Sequence, residues 1–241
     1  MLLDKEDLAT KDPLEILHEC GGYYECPRDS NGNRIAPLVG YAGTYTADDG
    51  KVKNYVGDKY YNFAMAEQYP KVYSAYALRL CVKVGISNSI DLTMASVMLG
   101  APMGGILFAG ALAQSWGTRV IFCEKKIRAL ATADKREDSE LVLGRHEVRK
   151  DDNVIIVEDV CNNFSTTEKV IELIEHSGAT AIAVTCILNR AVEENYERKN
   201  GQKIPVVSLV HSPTRQYKQE DPEVCEHIRK GNLVLKPKNE W

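Results

Sequence analysis

The order of apolar and polar positions predicts two similar units along the chain, each with a strand, a turn, a helix that ends at a glycine, and a second strand. In chain order the segments are the strands 95–99 and 120–123 around the helix 106–116, then the strands 154–157 and 181–188 around the helix 165–177. The helices have 3.6-residue periodicity, whereas the strands are short continuous apolar runs. Strands that alternate with helices at this spacing indicate a parallel sheet with helical crossovers.

The segments outside these units have patterns of a different kind. The first sixty or so residues are rich in Tyr, Gly, Asp and Asn, with hairpin signals at Asn31-Gly32 and Asp49-Gly50, and we expect a small β-rich cap there. Residues 69–84 have helical periodicity up to Gly85, and residues 204–210 can add one more strand.

Composition narrows the class of protein. A chain of 241 residues that is 44% hydrophobic can bury a substantial core, and its net charge of -4 argues against nucleic-acid binding through bulk positive potential. No apolar run approaches the roughly 20 residues of a membrane helix, and the acidic N-terminus is unlike a signal peptide. The seven scattered cysteines indicate neither a disulfide framework nor a zinc site. We therefore expect a cytoplasmic protein.

The segment that follows the predicted strand 154–157 carries the strongest chemical signal. Glu158 and Asp159 are expected directly after the strand, and a polar cluster then opens the next helix: Asn162, Asn163, Ser165, Thr166 and Thr167. Free N–H groups at a helix start favour an anion such as phosphate, and adjacent acids are costly unless they engage cations or hydroxyls. The alternative is that Ser165 and Glu168 form an ordinary capping box.

Five segments in order resemble the type I phosphoribosyltransferases, most closely the orotate phosphoribosyltransferases. The motif VEDVCNNFSTT resembles the family's ribose-phosphate binding motif. The other segments are VGDKYYNFAMAEQYP, APMGGILFAGALA, LVLGRHEVRKDDNVIIVEDV and CILNR, and the tail YKQEDPEVCEHIRKGNLVLKP is similar to the family's tail as well. The resemblance implies an α/β fold, with a parallel-sheet core and helices on both faces, plus a small N-terminal β-rich cap (hood). The expected domains are the hood at 1–65, the core at 66–212, and a C-terminal tail at 213–241 that packs on either.

The resemblance also implies roles for particular residues. Glu158 and Asp159 would hold the ribose hydroxyls of phosphoribosyl pyrophosphate, and the loop Asn162, Asn163, Ser165, Thr166 and Thr167 its 5'-phosphate. Residues 101–105 would line the pyrophosphate, with Gly104 and Gly105 allowing close backbone approach, although these glycines equally suit tight helix packing. Arg190 would meet a carboxylate on an orotate-like base. Mg²⁺ would bind through substrate oxygens, with Asp159 as a candidate protein ligand.

The charged stretch 124–145 corresponds to the family's catalytic flap. Its Lys125 and Arg145 align with residues of the family, and both would assist the departing pyrophosphate. The resemblance makes Lys125 a candidate catalytic residue, together with Glu158 and Asp159. Further cations of the stretch are Lys126, Arg128, Lys135 and Arg136. The alternative is a solvated charged face. The resemblance also implies a homodimer, while the net charge and the lack of a long apolar run argue against nucleic-acid and membrane partners.

One departure from the family leaves the activity open. Phe164 stands in a loop where the family has Thr-Thr-Gly-Gly, and a bulky residue does not easily take the positive φ that glycine allows. We expect its ring to turn away from the phosphate. The function expected is transfer of ribose 5-phosphate to orotate in pyrimidine biosynthesis. The alternatives are a phosphoribosyltransferase for another base and a non-catalytic regulatory protein on the same fold.

Overall fold

A computed structural model describes residues 4–87, 90–129, 138–235 and 237 of the chain. These residues form two compact units. The larger consists of residues 4–13 and Glu67–Pro213, and the smaller of Leu14–Ala66 and residues 214–235. Residues 4–13, which we expected in the cap, thus belong to the larger unit.

The helices and strands are numbered along the chain. The helices are α1 (Lys5–Thr10), α2 (Pro13–Glu19), α3 (Ala64–Glu67), α4 (Pro70–Ser87), α5 (Gly104–Trp116), α6 (Ser165–His176) and α7 (Cys225–Arg229), with a 3-10 turn at Leu92–Met94. The strands are β1 (Tyr23–Glu25), β2 (Leu38–Thr46), β3 (Val52–Gly57), β4 (Lys59–Tyr61), β5 (Val97–Gly100), β6 (Arg119–Phe122), β7 (Glu124–Ala129), β8 (Asp138–Val142), β9 (Asn153–Cys161), β10 (Thr180–Asn189), β11 (Tyr196–Glu197), β12 (Lys203–Ile204), β13 (Val206–His211) and β14 (Leu233–Val234). Among these helices, none is long and apolar enough to cross a membrane.

The larger unit is built on a parallel sheet in the order β13-β10-β9-β5-β6. Alternate residues of its buried strands, such as Val154 and Ile156, pack with Val170, Ile171 and Ile174 of α6. The residues between them face the other side of the sheet, where α5 packs on β5 and β9, and α4 on α5. The prediction of a parallel α/β core with helices on both faces is confirmed.

Several boundaries differ from the sequence prediction, each for a local reason. β9 extends to Cys161 because β10 pairs with it as far as Asn189, so the acidic pair lies inside the strand and not after it. The last strand of the sheet begins at Val206, whereas Ile204 pairs with Tyr196 in a separate hairpin. Gly85 does not end the helix before it, since α4 continues to Ser87.

The smaller unit has a three-stranded sheet in the order β14-β2-β3 and a β1-β4 pair. Gly32 and Gly50 have positive φ, as the two hairpin signals require. The unit also contains most of α2 and α3, which the β-rich interpretation missed. Its C-terminal residues are part of the same fold, because Tyr217 bridges to Val56 and β14 pairs with β2.

Candidate functional site

The first turn of α5 lies directly against the end of β9. A Cβ atom added at Gly104 would stand 2.1 Å from Asp159 Oδ2, and one added at Gly105 would stand 2.1 Å from the Val157 carbonyl oxygen. The Ala101 N–H donates to that same carbonyl at 2.9 Å. Gly105 therefore serves helix-on-strand packing, whereas Gly104 brings the backbone of α5 onto the Asp159 carboxylate.

Glu158 and Asp159 are neighbours in the strand but have different surroundings. Side chains alternate along a strand, so the two carboxyl groups leave β9 on opposite faces. Glu158 is only 7% exposed, and burial, with the nearby charge of Asp159, raises its pKa well above the usual range. Asp159 is half-buried, and its Oδ1 accepts a hydrogen bond from the Val160 N–H at 2.8 Å. Asp159 is thus the more accessible of the two.

The loop after β9 brings a helix N-terminus to the same edge of the sheet. Asn163 and Ser165 are exposed, Asn162 and Thr166 are half-buried, and Thr167 is buried. The Ser165 N–H donates to Asn163 Oδ1 at 3.3 Å. The first amides of an α-helix have no acceptor within the helix, so this turn of α6 can bind an anion.

Phe164 shapes this loop in a way that the sequence did not predict. It has φ 55° and ψ 16°, in the left-handed region, although a bulky residue does not easily take positive φ. Its ring is 7% exposed and lies 5.0 Å from the ring of Tyr196, between centroids. The ring therefore packs in the hydrophobic core, and this packing stabilises the backbone conformation.

The capping box proposed as the alternative for this segment is not present. The residue that caps α6 is Phe164, which provides no side-chain hydrogen bond to the helix. Glu168 instead accepts a hydrogen bond from the hydroxyl group of Tyr196 and pairs with Arg198, whose Nη2 lies 3.2 Å from Glu168 Oε1. The polar residues of the loop are thus not explained by helix capping through Ser165 and Glu168.

Arg190 follows the end of β10, and its N–H donates to the Cys161 carbonyl at 2.8 Å. The structure therefore places it at the same edge as the loop. Cys161 is 2% exposed, and its hydrogen bond with Cys186, together with burial, raises the pKa of its thiol well above the usual range. Such a thiol is a poor nucleophile, in agreement with a packing role.

The charged stretch forms a hairpin, β7-β8, that starts just after β6 ends. Lys125 is exposed and pairs in register with Leu141, while Arg145 is exposed and its Nε lies 3.0 Å from Glu124 Oε1. Lys126 and Arg128 are also exposed, and Lys135 and Arg136 lie outside the described residues. Lys125 thus lies on the hairpin, and Arg145 lies just after its second strand and beside Glu124 at the start of its first. Among the described side chains, no cluster of three potential metal ligands is found.

Comparison with known proteins identifies the family. The family model of the phosphoribosyl transferase domain matches residues 85–217, which is more than half of the chain. The chain belongs to the phosphoribosyltransferase family. Curated relatives named orotate phosphoribosyltransferase include those of Caldanaerobacter subterraneus subsp. tengcongensis, 29% identical over 75% of this chain and 82% of that protein, and of Thermoanaerobacter sp., 27% identical over the same shares.

Solved structures agree on the fold. The crystal structure of orotate phosphoribosyltransferase from Aeropyrum pernix has a TM-score of 0.51 and 18% identity, and the match covers 82% of this chain and 92% of that one. The structure of Leishmania donovani UMP synthase has a TM-score of 0.50 and 14% identity, over 83% of this chain and 35% of that one. The resemblance to type I phosphoribosyltransferases stated from the sequence is confirmed.

Two residues near the Asp159 carboxylate of this phosphoribosyltransferase were not recognised from the sequence. Burial and the charge of Asp159 raise the pKa of Glu67, at the end of α3. Tyr73 is 4% exposed, packs edge-on against Phe108 at 5.7 Å, and has a raised pKa through burial and the charges of Glu67 and Asp159. Both residues are distant from Asp159 in sequence, and Glu67 was given no role although it lies in a segment that resembles the family. Only the tertiary fold brings them close to Asp159.

Proposed function

We propose that the protein transfers ribose 5-phosphate from phosphoribosyl pyrophosphate to orotate and releases pyrophosphate. The observation that carries the proposal is the arrangement at the end of β9, where the accessible carboxylate of Asp159 lies against the first turn of α5 and the loop into α6 follows the strand directly. Such an edge offers a carboxylate for hydroxyl groups and helix amides for phosphates. The relatives named orotate phosphoribosyltransferase support orotate as the base.

Each part of the substrate has a proposed partner at this edge. The loop from Asn162 to Thr167, with the amides of α6, would bind the 5'-phosphate. Asp159 would accept hydrogen bonds from the ribose hydroxyls. The first turn of α5, which Gly104 allows to lie against Asp159, would bind the pyrophosphate through its backbone N–H groups. Arg190 would pair with the carboxylate of the base, since a guanidinium group can donate two parallel hydrogen bonds to it.

The reaction breaks the bond between C1' of the ribose and the pyrophosphate oxygen and forms a bond between C1' and a ring nitrogen of the base. Positive charge develops on the ribose in between, so positioning and electrostatic stabilisation matter more than a protein nucleophile. The Asp159 carboxylate is placed to stabilise this charge through the ribose hydroxyls. Glu158, which the resemblance also assigns to the ribose hydroxyls, is buried on the other face of β9, and burial raises the pKa of its carboxyl group.

The negative charge of the leaving pyrophosphate also needs compensation. Mg²⁺ supplies it when bound with the substrate, since this ion commonly uses one or two carboxylates together with phosphate oxygens. Asp159 is the accessible oxygen donor that fits it. Lys125, on the hairpin of β7 and β8, and Arg145, just after it, would add positive charge when the hairpin lies over the substrate.

We also propose that the chain works as a cytoplasmic homodimer that pairs through α4. Leu78, Val82 and Ile86 recur every four residues on this helix and are 58%, 62% and 76% exposed. A second copy can cover such an apolar stripe by symmetric packing. Light scattering should give the mass of a dimer for the wild type and of a monomer for Val82→Glu, and a wild-type monomer at micromolar concentration would reject this pairing.

The test of the activity is a screen of bases with phosphoribosyl pyrophosphate and Mg²⁺, in which pyrophosphate release is measured. We expect release with orotate and little with uracil, adenine or hypoxanthine, because these lack the carboxylate. Release with another base alone would keep the transferase and change the substrate. Binding of phosphoribosyl pyrophosphate without release for any base would favour a regulatory role.

A further inference from the structure

The hairpin formed by β11 and β12 contacts the start of α6, next to the proposed phosphate loop. Its strands pair antiparallel, with Tyr196 opposite Ile204. Tyr196 stacks on Phe164, the loop residue with positive φ, at 5.0 Å and an interplanar angle of 33°. The hairpin therefore packs directly on the residue that sets the path of the loop into the helix.

The same hairpin binds the carboxylate of Glu168, which lies within the first turns of α6. A carboxylate at a helix N-terminus interacts favourably with the helix dipole but competes with any other anion that binds there. Glu168 accepts the hydrogen bond of Tyr196 and contacts Arg198 through Nε at 3.3 Å and Nη2 at 3.2 Å. Burial opposes its ionisation, but these hydrogen bonds outweigh burial and lower its pKa, so it is charged at neutral pH.

Arg198 is held where it can neutralise this charge. Its side chain is 8% exposed, and its Nη1 also lies 2.5 Å from Glu175 Oε1 and donates to Gln202 Oε1 at 3.0 Å. The hydrogen bonds with Glu175 and then Glu168 raise its pKa, so it keeps its charge. A buried, fully engaged guanidinium at this position cancels the field of Glu168 at short range.

We propose that Arg198 and Tyr196 are positioning residues for the phosphate loop, which they prepare for an anion by neutralising Glu168 and clamping Phe164. This inference rests on the proposed function, in which the loop binds the 5'-phosphate. In this chain a stacked aromatic pair takes the place of a glycine. The ligand concerned is a sugar phosphate, and the pyrophosphate end, at α5, should not depend on the hairpin.

The experiment is calorimetric titration of the full chain with ribose 5-phosphate and, separately, with pyrophosphate and Mg²⁺. Arg198→Met should lower the affinity for ribose 5-phosphate roughly tenfold, because the uncompensated carboxylate of Glu168, about one helix turn away, repels the phosphate. The same variant should change the affinity for pyrophosphate less than twofold. The double variant Glu168→Gln/Arg198→Met should restore the affinity for ribose 5-phosphate to within about threefold. Glu175→Gln is the matched control, because it removes the other carboxylate that pairs with Arg198, and this carboxylate lies near the C-terminal end of α6, away from the loop. This variant should bind both ligands as the wild type does.

Glu168→Gln alone keeps the inference testable if Arg198→Met does not fold. It leaves Arg198 paired with Glu175 and should increase the affinity for ribose 5-phosphate a few-fold, without increasing the affinity for pyrophosphate. Unchanged or weaker binding of ribose 5-phosphate by this variant overturns the inference, as does equal weakening of both ligands in a folded Arg198→Met. A wild type that binds pyrophosphate but not millimolar ribose 5-phosphate contradicts the proposed phosphate loop itself, which is a different failure.

Discussion

Replacement of Phe164 by alanine and by glycine tests the conformation of the loop. Either change removes a ring that is 7% exposed and stacked on Tyr196, and loss of a buried Phe costs about 3–5 kcal/mol. Only alanine retains the cost of a side chain at φ 55°, which is about 1 kcal/mol. Because the extra chain entropy of glycine offsets part of this gain, we expect the glycine variant to be more stable than the alanine variant by about 0.5 kcal/mol.

Urea unfolding followed by circular dichroism measures this difference as a shift in midpoint between the two variants. Lys169 is the matched control, since it is exposed and lies inside the same helix. There the order must reverse, with Lys169→Gly less stable than Lys169→Ala by about 1 kcal/mol. If alanine is the more stable residue at both positions, Phe164 does not hold the left-handed conformation and the argument for the stacked clamp fails.

Four further predictions concern the acidic pair, the glycine beside it and the base. Asp159→Asn should lower turnover by about 100-fold or more with little change in thermal stability, and activity within threefold of the wild type would remove Asp159 from the mechanism. Gly104→Ala should damage activity similarly, because its Cβ would stand 2.1 Å from Asp159 Oδ2, whereas Gly110→Ala in the same helix meets open space and should not. Arg190→Ala should raise the KM for orotate about 10- to 100-fold and leave that for phosphoribosyl pyrophosphate nearly unchanged, and equal effects would contradict its assignment. Because the pKa of Glu158 is raised, the native state binds the carboxyl proton more tightly than the unfolded state does, so the contribution of Glu158 to stability falls as pH rises above the usual carboxyl pKa of about 4.3. The Tm of Glu158→Gln should therefore increase relative to that of the wild type between pH 5 and 8, and a constant difference in Tm would refute this.

The sequence by itself was sufficient for the core fold and for naming the segments that are proposed as the site. Apolar runs such as 154–157 and the periodic helix after Phe164 are local patterns that buried strands and amphipathic helices require. The glycines at 117 and 178 have positive φ after their helices, as expected from helix termination. The candidate residue Asp159 was found in the same way, because ligands bind at the carboxyl ends of parallel strands, whereas Arg190 was assigned only through the resemblance to the family.

The tertiary structure alone decided how these residues are surrounded. The division between a buried Glu158 and an accessible Asp159 depends on where β9 ends, and pairing with β10 sets that end. The left-handed conformation of Phe164 is against its local preference and is stabilised by a ring that follows much later in the chain. A pattern within a short window cannot contain such contacts, because packing between distant segments selects them after the local structure has formed.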